Sequence, residues 1–400
     1  MNINDFFISA DSESGNVHIS IVKQTETQML LRFTANFNEP IVPPTVKVEW
    51  KETVDHVLSA WTPLIGHSRY LSPNWRRTKS ESKIAVGAPV LSLITNNGDN
   101  SCTIAVSDPK TPISIEAGIS EEEAVFFCTV KFFTADISPI DFYEAYIRID
   151  RSPVSFTDAV VNVNRWWEED FGYEKAYVPE DAYLPMNSAW YSFHQKLDTQ
   201  TLLEECEISA KLGMKTLIID DGWQQNRYSN RNGSYNGGPW DKTNGGFPSM
   251  EATADAIHAR GAKAGIWMRP LLTCLPVPAD TVGIRKASGG TILDPSHPWV
   301  LEQVAKDVSL LRSWGYDLIK HDFTTMDTIF RPKDTTPLPA FYDKHHPTAY
   351  IMRELYRTIE RAAGGAVVIG CNTFGHLAAG IHAVQRVDLG VARAVALDHV

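Results

Sequence analysis

The sequence predicts a chain of two parts, an N-terminal antiparallel β-sandwich followed by an α/β barrel of the (β/α)8 (TIM) type. Short β-branched runs separated by Gly, Pro, Asn and Asp turns fill about the first 150 residues, which is typical of a sandwich. After about residue 180, strand patterns alternate with amphipathic helices, which indicates a parallel sheet with right-handed crossovers. Two of these strands end in clusters of charged side chains, at the end of the barrel where such folds keep their active sites.

The length of the chain agrees with this division, because 400 residues exceed one ordinary domain. We expect a sandwich domain over 1–150, a helical linker over 151–180 and a catalytic barrel over 181–400. The barrel segment holds about six of the eight strand and helix units of a closed barrel. We therefore expect either a fragment of a longer protein or an open sheet, since six parallel strands would leave two unpaired edges.

Alternation and turn signals place the strands of the sandwich. They are expected at 17–22, 29–37, 46–50, 89–94, 102–107 and 124–133. A helix is expected over 156–171, because apolar residues from Ala159 to Trp167 recur at roughly helical spacing. This helix would link the sandwich to the barrel.

Periodicity also places the elements of the barrel. Its strands are expected at 188–193, 216–219, 264–268, 316–320, 366–370 and 384–387. Its helices are expected at 199–212, 250–260, 299–314 and 349–363. Asp198 and Gly213 can cap and end the first of these helices. Residues 274–293 are expected to form a long loop over the site.

The composition excludes some classes of function. A net charge of −11 argues against nucleic acid as the main partner and suits neutral ligands. The N-terminus has no basic region or long apolar run, so we expect a cytoplasmic protein without a signal peptide or membrane span. The five cysteines are an odd number without a Cys-x-x-Cys pair, which argues against disulfides and against a zinc site.

The charged strand ends are the strongest sign of chemistry. In one, the apolar pair Leu318 and Ile319 leads into Lys320 and Asp322, which project to the same face because strand side chains alternate. In the other, a β-branched run ends in two adjacent carboxylates, Asp220 and Asp221. Packing alone does not explain two strands that end in this way.

These residues belong to a series of motifs that resembles a known family. In chain order, the motifs are Asn-Ser-Ala-Trp-Tyr at 187–191, Asp-Asp-Gly-Trp at 220–223, Ile-Trp at 266–267, Leu-Asp-Pro-Ser at 293–296, Ile-Lys-His-Asp at 319–322, and Cys371. The series is similar to that of glycoside hydrolase family 36, the retaining α-galactosidases, over about residues 85 to 395. The resemblance implies a β-sandwich, a barrel, a C-terminal β-domain that this chain lacks, and a double-displacement mechanism.

The resemblance also implies roles for individual residues. Asp322 would be the nucleophile, kept ionised by Lys320, and Asp388 the acid/base with a raised pKa. Asp220 and Asp221 would bind the 4- and 6-hydroxyls of a galactose-like sugar. Trp267, Trp190 and Trp223 are candidates either for the pocket wall or for ordinary core packing.

Cys371 and Arg386 complete the candidate binding residues. Cys371 matches the family's cysteine before a glycine-rich loop. Arg386 would either face the 2-hydroxyl of the sugar or form a structural ion pair with Asp388. The chain departs from the family at several positions, with Gln385-Arg386-Val387 before Asp388, Arg269 in place of a glutamate, and His321 in place of a tryptophan. We therefore expect a divergent member of the family.

The expected function is hydrolysis of terminal α-galactosides, on an oligosaccharide or glycoside substrate and without a metal or organic cofactor. One alternative is a transglycosylase of the raffinose-synthase type, and another is a non-catalytic sugar-binding protein on the same scaffold. His345 and His346 are expected in a solvated loop, because no third ligand has zinc-like spacing. The resemblance also implies a homo-oligomer, in which Trp75 would complete a neighbour's site.

Overall fold

The structure is a computed structural model. It describes residues 2–10, 15–63, 77–82, 87–135, 137, 139–173, 175–225, 237–285, 290–324, 341–343, 346, 348–371, 373 and 375–386. The chain divides into two compact units. The first unit consists of Met1–Glu174, Lys344–Tyr350 and Gly375–Leu377, and the second of Lys175–Asp343, Ile351–Phe374 and Ala378–Val400.

The first unit is rich in β-strands, which form two antiparallel sheets. The strands are β1 (Phe7–Ala10), β2 (Asn16–Gln24), β3 (Gln28–Ile41), β4 (Val46–Thr53), β5 (Val57–Trp61), β6 (Thr78–Ser82), β7 (Val90–Thr95), β8 (Asn100–Val106), β9 (Ile113–Ser120), β10 (Val125–Phe132) and β11 (Ile140–Asp150). One sheet has the order β1-β4-β10-β9-β6 and the other β2-β3-β11-β8-β7-β5.

The core of the first unit contains side chains of both sheets. In β4, Val46, Val48 and Trp50 are buried and alternate with more exposed residues, as expected for a strand with one face on a core. Phe33 of β3 stacks on Phe132 of β10, with ring centroids 3.9 Å apart. Because β3 and β10 belong to different sheets, this contact shows sheet packing on sheet, as the sequence predicts.

Helix α1 (Phe156–Phe171) packs on the first unit and has the predicted bounds. The Ser155 side chain caps its N-terminus by accepting from the backbone N–H of Asp158. Gly172 ends it in the left-handed conformation, at φ 64°. The buried Val163 and Trp166 form a small cluster with β7 and β8.

The second unit is built on parallel strands. Among the described residues, the strands after α1 are β12 (Met186–Ser188), β13 (Thr216–Ile219), β14 (Lys263–Met268), β15 (Leu272–Thr273), β16 (Val282–Arg285), β17 (Thr291–Leu293), β18 (Leu318–His321), β19 (Val367–Cys371) and β20 (Val384–Arg386). Six of them form a parallel sheet in the order β12-β13-β14-β18-β19-β20, a curled half-barrel. Strand order therefore follows chain order, as in a barrel.

Helices alternate with these strands. They are α2 (Trp190–Phe193), α3 (Thr199–Lys211), α4 (Met250–His258), α5 (Pro298–Ser313), α6 (Thr348–Ala363) and α7 (Gly375–Ala378). The Asp198 side chain caps α3 by accepting from the N–H of Thr201, and Gly213 follows its end at φ 83°. Both sequence predictions are thus confirmed. None of the described helices is long and apolar enough to cross a membrane.

Two predictions about the second unit are wrong. The strand expected at 188–193 ends at Ser188, because Ala189 takes a helical conformation and begins the short helix α2. The loop expected at 274–293 contains β16 and β17, which form a small antiparallel sheet with β15. These strands have four residues or fewer, too few for alternation to distinguish them from a loop.

Candidate active site

The carboxyl ends of the parallel strands bring the charged residues of the sequence motifs to one edge of the sheet. Trp267 of β14 pairs in register with Lys320 of β18, and Lys320 pairs with Ile369 of β19. Cys371 pairs with Arg386 of β20. Asp220 and Asp221 follow β13 directly. In-register pairing therefore gathers residues that are up to about 170 positions apart along the chain.

Asp220 and Lys320 form a buried ion pair. The Lys320 Nζ atom lies 2.6 Å from Asp220 Oδ2, and the Ser188 hydroxyl donates to the same oxygen at 2.8 Å. Asp220 is 2% exposed and Lys320 5%. Burial lowers the pKa of Lys320, but the charge of Asp220 and other nearby groups outweighs it, so that the pKa is raised. The ammonium that was expected to act on Asp322 therefore pairs directly with Asp220.

Asp221 is held by two amides. Gln195 Nε2 donates to its Oδ2 and Gln224 Nε2 to its Oδ1, both at 2.7 Å. Burial raises the pKa of Asp221 to about 6, helped by the charge of Asp220, while the two amides and Arg269 act in the opposite direction. A carboxylate in this state can accept further hydrogen bonds and gains stability from each donor.

Gly222 allows the chain to turn sharply after the two carboxylates. Its φ is 124°, a conformation that other residues rarely adopt. A Cβ atom there would lie 2.7 Å from the Cα atom of Gln195. The glycine therefore lets the segment of Gln195 approach closely enough for its amide to reach Asp221.

Asp322 follows β18 and is 7% exposed. The Trp267 indole donates to its Oδ2 atom at 3.1 Å, and the backbone N–H of Phe323 to its Oδ1 atom at 2.7 Å. Its own N–H donates to Met268 O at 2.9 Å, which extends the pairing with β14. Both oxygens of the carboxylate are thus oriented by neighbouring donors.

Arg386 connects Cys371 to Tyr191. Its Nη1 atom donates to Cys371 Sγ at 3.1 Å and its Nη2 atom to the Tyr191 hydroxyl at 2.7 Å. Burial, with the charge of Asp322 adding to it, raises the pKa of Cys371 to about 12, so this thiol is neutral. Asp388 lies outside the described residues, and its possible pairing with Arg386 stays a prediction.

The three candidate tryptophans differ in position. Trp223 is fully buried, its indole donates to Trp267 O at 2.9 Å, and its ring packs on Trp240 and Trp314. Trp190 is half-buried on α2 and stacks on His194. Trp267 is buried, but its indole nitrogen reaches Asp322.

Sequence analysis missed several partners of these residues. Ser188 and Tyr191 lie within the first motif and Gln224 directly follows the second, so proximity to a motif is the signal that could have found them. Gln195 has no such signal. Among the described residues, no group of three or more His, Cys, Asp and Glu side chains could hold a metal ion. Trp75 and His345 lie outside the described residues.

Proteins similar to this chain are found among solved structures, but not by family model or by sequence. No family model matches the chain, and no curated protein matches its sequence. Among solved structures, it is similar to an α-galactosidase from Thermus thermophilus in complex with p-nitrophenyl α-D-galactopyranoside (16% identity, TM-score 0.56), with 96% of this chain and 72% of that chain covered.

Two further solved structures give the same result. They are an α-galactosidase from Lactobacillus brevis (13% identity, TM-score 0.57, 98% of this chain and 61% of that one) and the family 36 α-galactosidase AgaA from Geobacillus stearothermophilus in complex with raffinose (12% identity, TM-score 0.57, 93% and 56%). The chain thus spans about three fifths of the length of these two enzymes. At such identities the likeness concerns the fold.

Proposed function

We propose that this protein is a retaining α-glycosidase that hydrolyses terminal α-galactosides through a covalent glycosyl-enzyme. The observation that carries the proposal is the position of Asp322, at a strand end beside the Asp220–Lys320 pair and oriented by Trp267. The related structures support it, since complexes with a galactoside, stachyose and raffinose are among them.

In the first step, a carboxylate oxygen of Asp322 attacks the anomeric carbon and the bond to the leaving oxygen breaks. Asp388 gives its proton to that oxygen, so the aglycone leaves as a neutral alcohol. In the second step, Asp388 takes a proton from water, which attacks the same carbon and releases Asp322. Such a pair of carboxyl groups lies about 5 to 5.5 Å apart in retaining enzymes.

The remaining charged groups would bind the sugar. Asp220 and Asp221 would accept hydrogen bonds from its 4- and 6-hydroxyls, and Lys320 would donate to a sugar oxygen. Carboxylates that accept from hydroxyls strongly disfavour a sugar whose hydroxyl points elsewhere. Trp267, Trp190 and Cys371 would line the sugar position, with Arg386 near the 2-hydroxyl.

The test is hydrolysis of p-nitrophenyl α-galactoside by the whole chain, beside Asp322→Ala and Asp388→Ala. We expect both variants to lose activity and azide to restore part of it, because a small nucleophile can fill the vacated position. Asp255→Ala, an exposed position on α4, is the matched control and should keep full activity. If the protein hydrolyses neither α- nor β-linked aryl glycosides, the proposal is wrong. Product analysis with an added sugar acceptor separates hydrolysis from transglycosylation.

A further inference from the structure

Behind the candidate site lies a buried pair of histidines that the proposed reaction does not use. His321 is in β18 between Lys320 and Asp322, so its side chain projects from the opposite face of the strand. It is fully buried, and His382 is 4% exposed. Their Nε2 atoms are 3.0 Å apart, and His382 Nδ1 lies 2.9 Å from Glu360 Oε2 of α6.

The contact between the two histidines crosses β19, the strand that lies between β18 and β20 in the sheet. His321 in β18 pairs in register with Gly370 of β19, and His382 precedes β20. A Cβ atom on Gly370 would lie 3.0 Å from His382 Cδ2 and 2.4 Å from Thr373 Oγ1. Gly370 therefore leaves the space through which the two imidazoles meet. The contact joins β18 to the segment that leads into β20, a strand that is not hydrogen-bonded to β18 in the sheet.

The hydrogen bonds determine where the protons lie. When both rings are neutral, Glu360 accepts from His382 Nδ1–H, and His382 Nε2 carries a lone pair. His321 must then donate from Nε2–H, and its Nδ1 atom carries a lone pair. That Nδ1 atom is buried and has no hydrogen-bond partner among the described residues. Burial, with His382 adding to it, lowers the pKa of His321 well below its usual value, in agreement with a neutral ring.

The groups around the pair come from α6. Glu360 is the acceptor described above, and its side chain is about one third exposed. The Tyr356 ring lies 5.5 Å from His321 and 5.3 Å from His382, between ring centroids. The buried Arg353 donates to Ala379 O at 3.1 Å. A proton added to the pair would thus lie on a hydrogen-bonded chain that ends at one carboxylate, that of Glu360.

We propose that the chain His321–His382–Glu360 positions the two strand ends that carry the reaction. It ties the strand that leads into Asp322 to β20, which carries Arg386 and leads to Asp388, and it holds only while a single proton lies between the two Nε2 atoms. A second proton there would remove the acceptor, leave two N–H groups facing each other about 3 Å apart, and place one positive charge in a buried site. This role rests on the proposed function, in which Asp322 and Asp388 act on one anomeric carbon.

The kinetic test compares His321→Leu, which removes the donor, with His321→Gln, whose amide can donate in place of Nε2–H. We expect His321→Leu to lower kcat on the aryl galactoside by about tenfold or more with KM nearly unchanged, since small displacements of reacting groups have effects of this size. His321→Gln should restore most of kcat. Equal kcat in wild type and His321→Leu, per folded molecule, would overturn the proposal.

A second measurement does not need activity. The Cys371 thiol is buried and accepts a hydrogen bond from Arg386 of β20, so a displaced β20 should expose it. We expect iodoacetamide to label Cys371 at least about fivefold faster in His321→Leu than in wild type and at the wild-type rate in His321→Gln, by the local opening that exchange methods detect. The buried Cys206 of α3 is the control for unfolding of the same unit.

The two measurements separate the two hypotheses. Faster labelling of Cys371, with the labelling rate of Cys206 unchanged, supports the link between the strands. This holds even if the wild-type chain hydrolyses no glycoside, and in that case only the proposed function fails. Unchanged labelling of Cys371 in His321→Leu shows that the pair does not hold β20 and overturns the inference. Labelling of both thiols would show that His321→Leu unfolds the unit. Glu360→Met, which removes the acceptor of His382 Nδ1–H at the partly exposed end of the chain, then decides by the same two outcomes.

Discussion

Asp221 is a residue of the candidate site whose charge state changes close to physiological pH. Its pKa is about 6 in the folded protein, because burial disfavours the carboxylate. A sugar hydroxyl that donates to Asp221 binds the ionised form, so below pH 6 a proton must leave before binding. We expect galactose affinity to fall by about tenfold from pH 7 to pH 5.

Calorimetric titration of galactose at pH 5, 6 and 7 measures this effect. Asp221→Asn removes the titrating group and should bind weakly and with little pH dependence over this range. If the wild-type affinity is the same at pH 5 and pH 7, then Asp221 does not accept from the sugar.

Lys320 offers a test of the buried ion pair. Lys320→Met leaves the carboxylate of Asp220 buried, with the Ser188 hydroxyl and the backbone N–H of Asp221 as its remaining donors among the described residues. Removing one partner of such a pair costs about 3 to 5 kcal/mol of unfolding free energy. Urea unfolding followed by circular dichroism measures the loss.

The matched control is Lys306→Met. Lys306 forms an exposed pair with Glu302 on α5, and pairs of this kind contribute less than about 1 kcal/mol. Equal effects of the two variants would show that Asp220 is stable without its ammonium partner.

At the scale of elements, the turn after β13 depends on Gly222. Gly222→Ala combines an unfavourable φ of 124° with a 2.7 Å contact to the backbone of Gln195. We expect a loss of about 2 kcal/mol or more in unfolding free energy. Gly261→Ala is the control, since its φ is 75° and nothing lies within 4 Å of the new Cβ; strain alone should cost about 1 kcal/mol there. Urea unfolding measures the unfolding free energy of both variants. Equal losses would contradict the close approach of Gln195 to Gly222.

Most strands of the second unit are predictable because they are buried runs bounded by turns. The sequence places β13 at its observed bounds and β14, β18, β19 and β20 within two residues. In the first unit it misses β11 (Ile140–Asp150) and β9, and the first six residues of β9 are all buried and show no alternation. The strands β1, β5 and β6 have five residues or fewer, which is too short to give a strong alternation signal.

The candidate site is predictable only in part. Carboxylates at strand ends stand out, as Asp220 and Asp322 do, because charges there interrupt an apolar run. Their partners do not stand out: Gln195 reaches Asp221 only through the turn at Gly222. His321 and His382 are 61 positions apart, and their contact depends on the missing side chain of Gly370, which no periodicity reveals.

At the scale of the whole molecule, His321 links the site to the pH dependence of stability. Its pKa is lowered by burial in the folded protein, whereas an unfolded histidine takes a proton below about pH 6.5. Below that pH the unfolded chain therefore binds more protons than the folded one. The contribution of neutral His321 to the unfolding free energy is fully present above pH 6.5. It is lost as the pH falls below that value, by up to about 1.4 kcal/mol per pH unit.

The raised pKa of Asp221 acts in the opposite sense, because between about pH 4 and 6 the folded protein binds more protons at that carboxyl. The effect of His321 is therefore isolated as a difference between wild type and His321→Gln, in which Asp221 is unchanged. Hydrogen exchange of the β18 and β19 amides at pH 5, 6, 7 and 8, corrected for the intrinsic exchange rate, reports the local stability. We expect wild type to lose protection relative to His321→Gln only below about pH 6.5. Parallel curves for the two proteins would mean that His321 takes up its proton in the folded state, and that the imidazole pair is not held neutral by its surroundings.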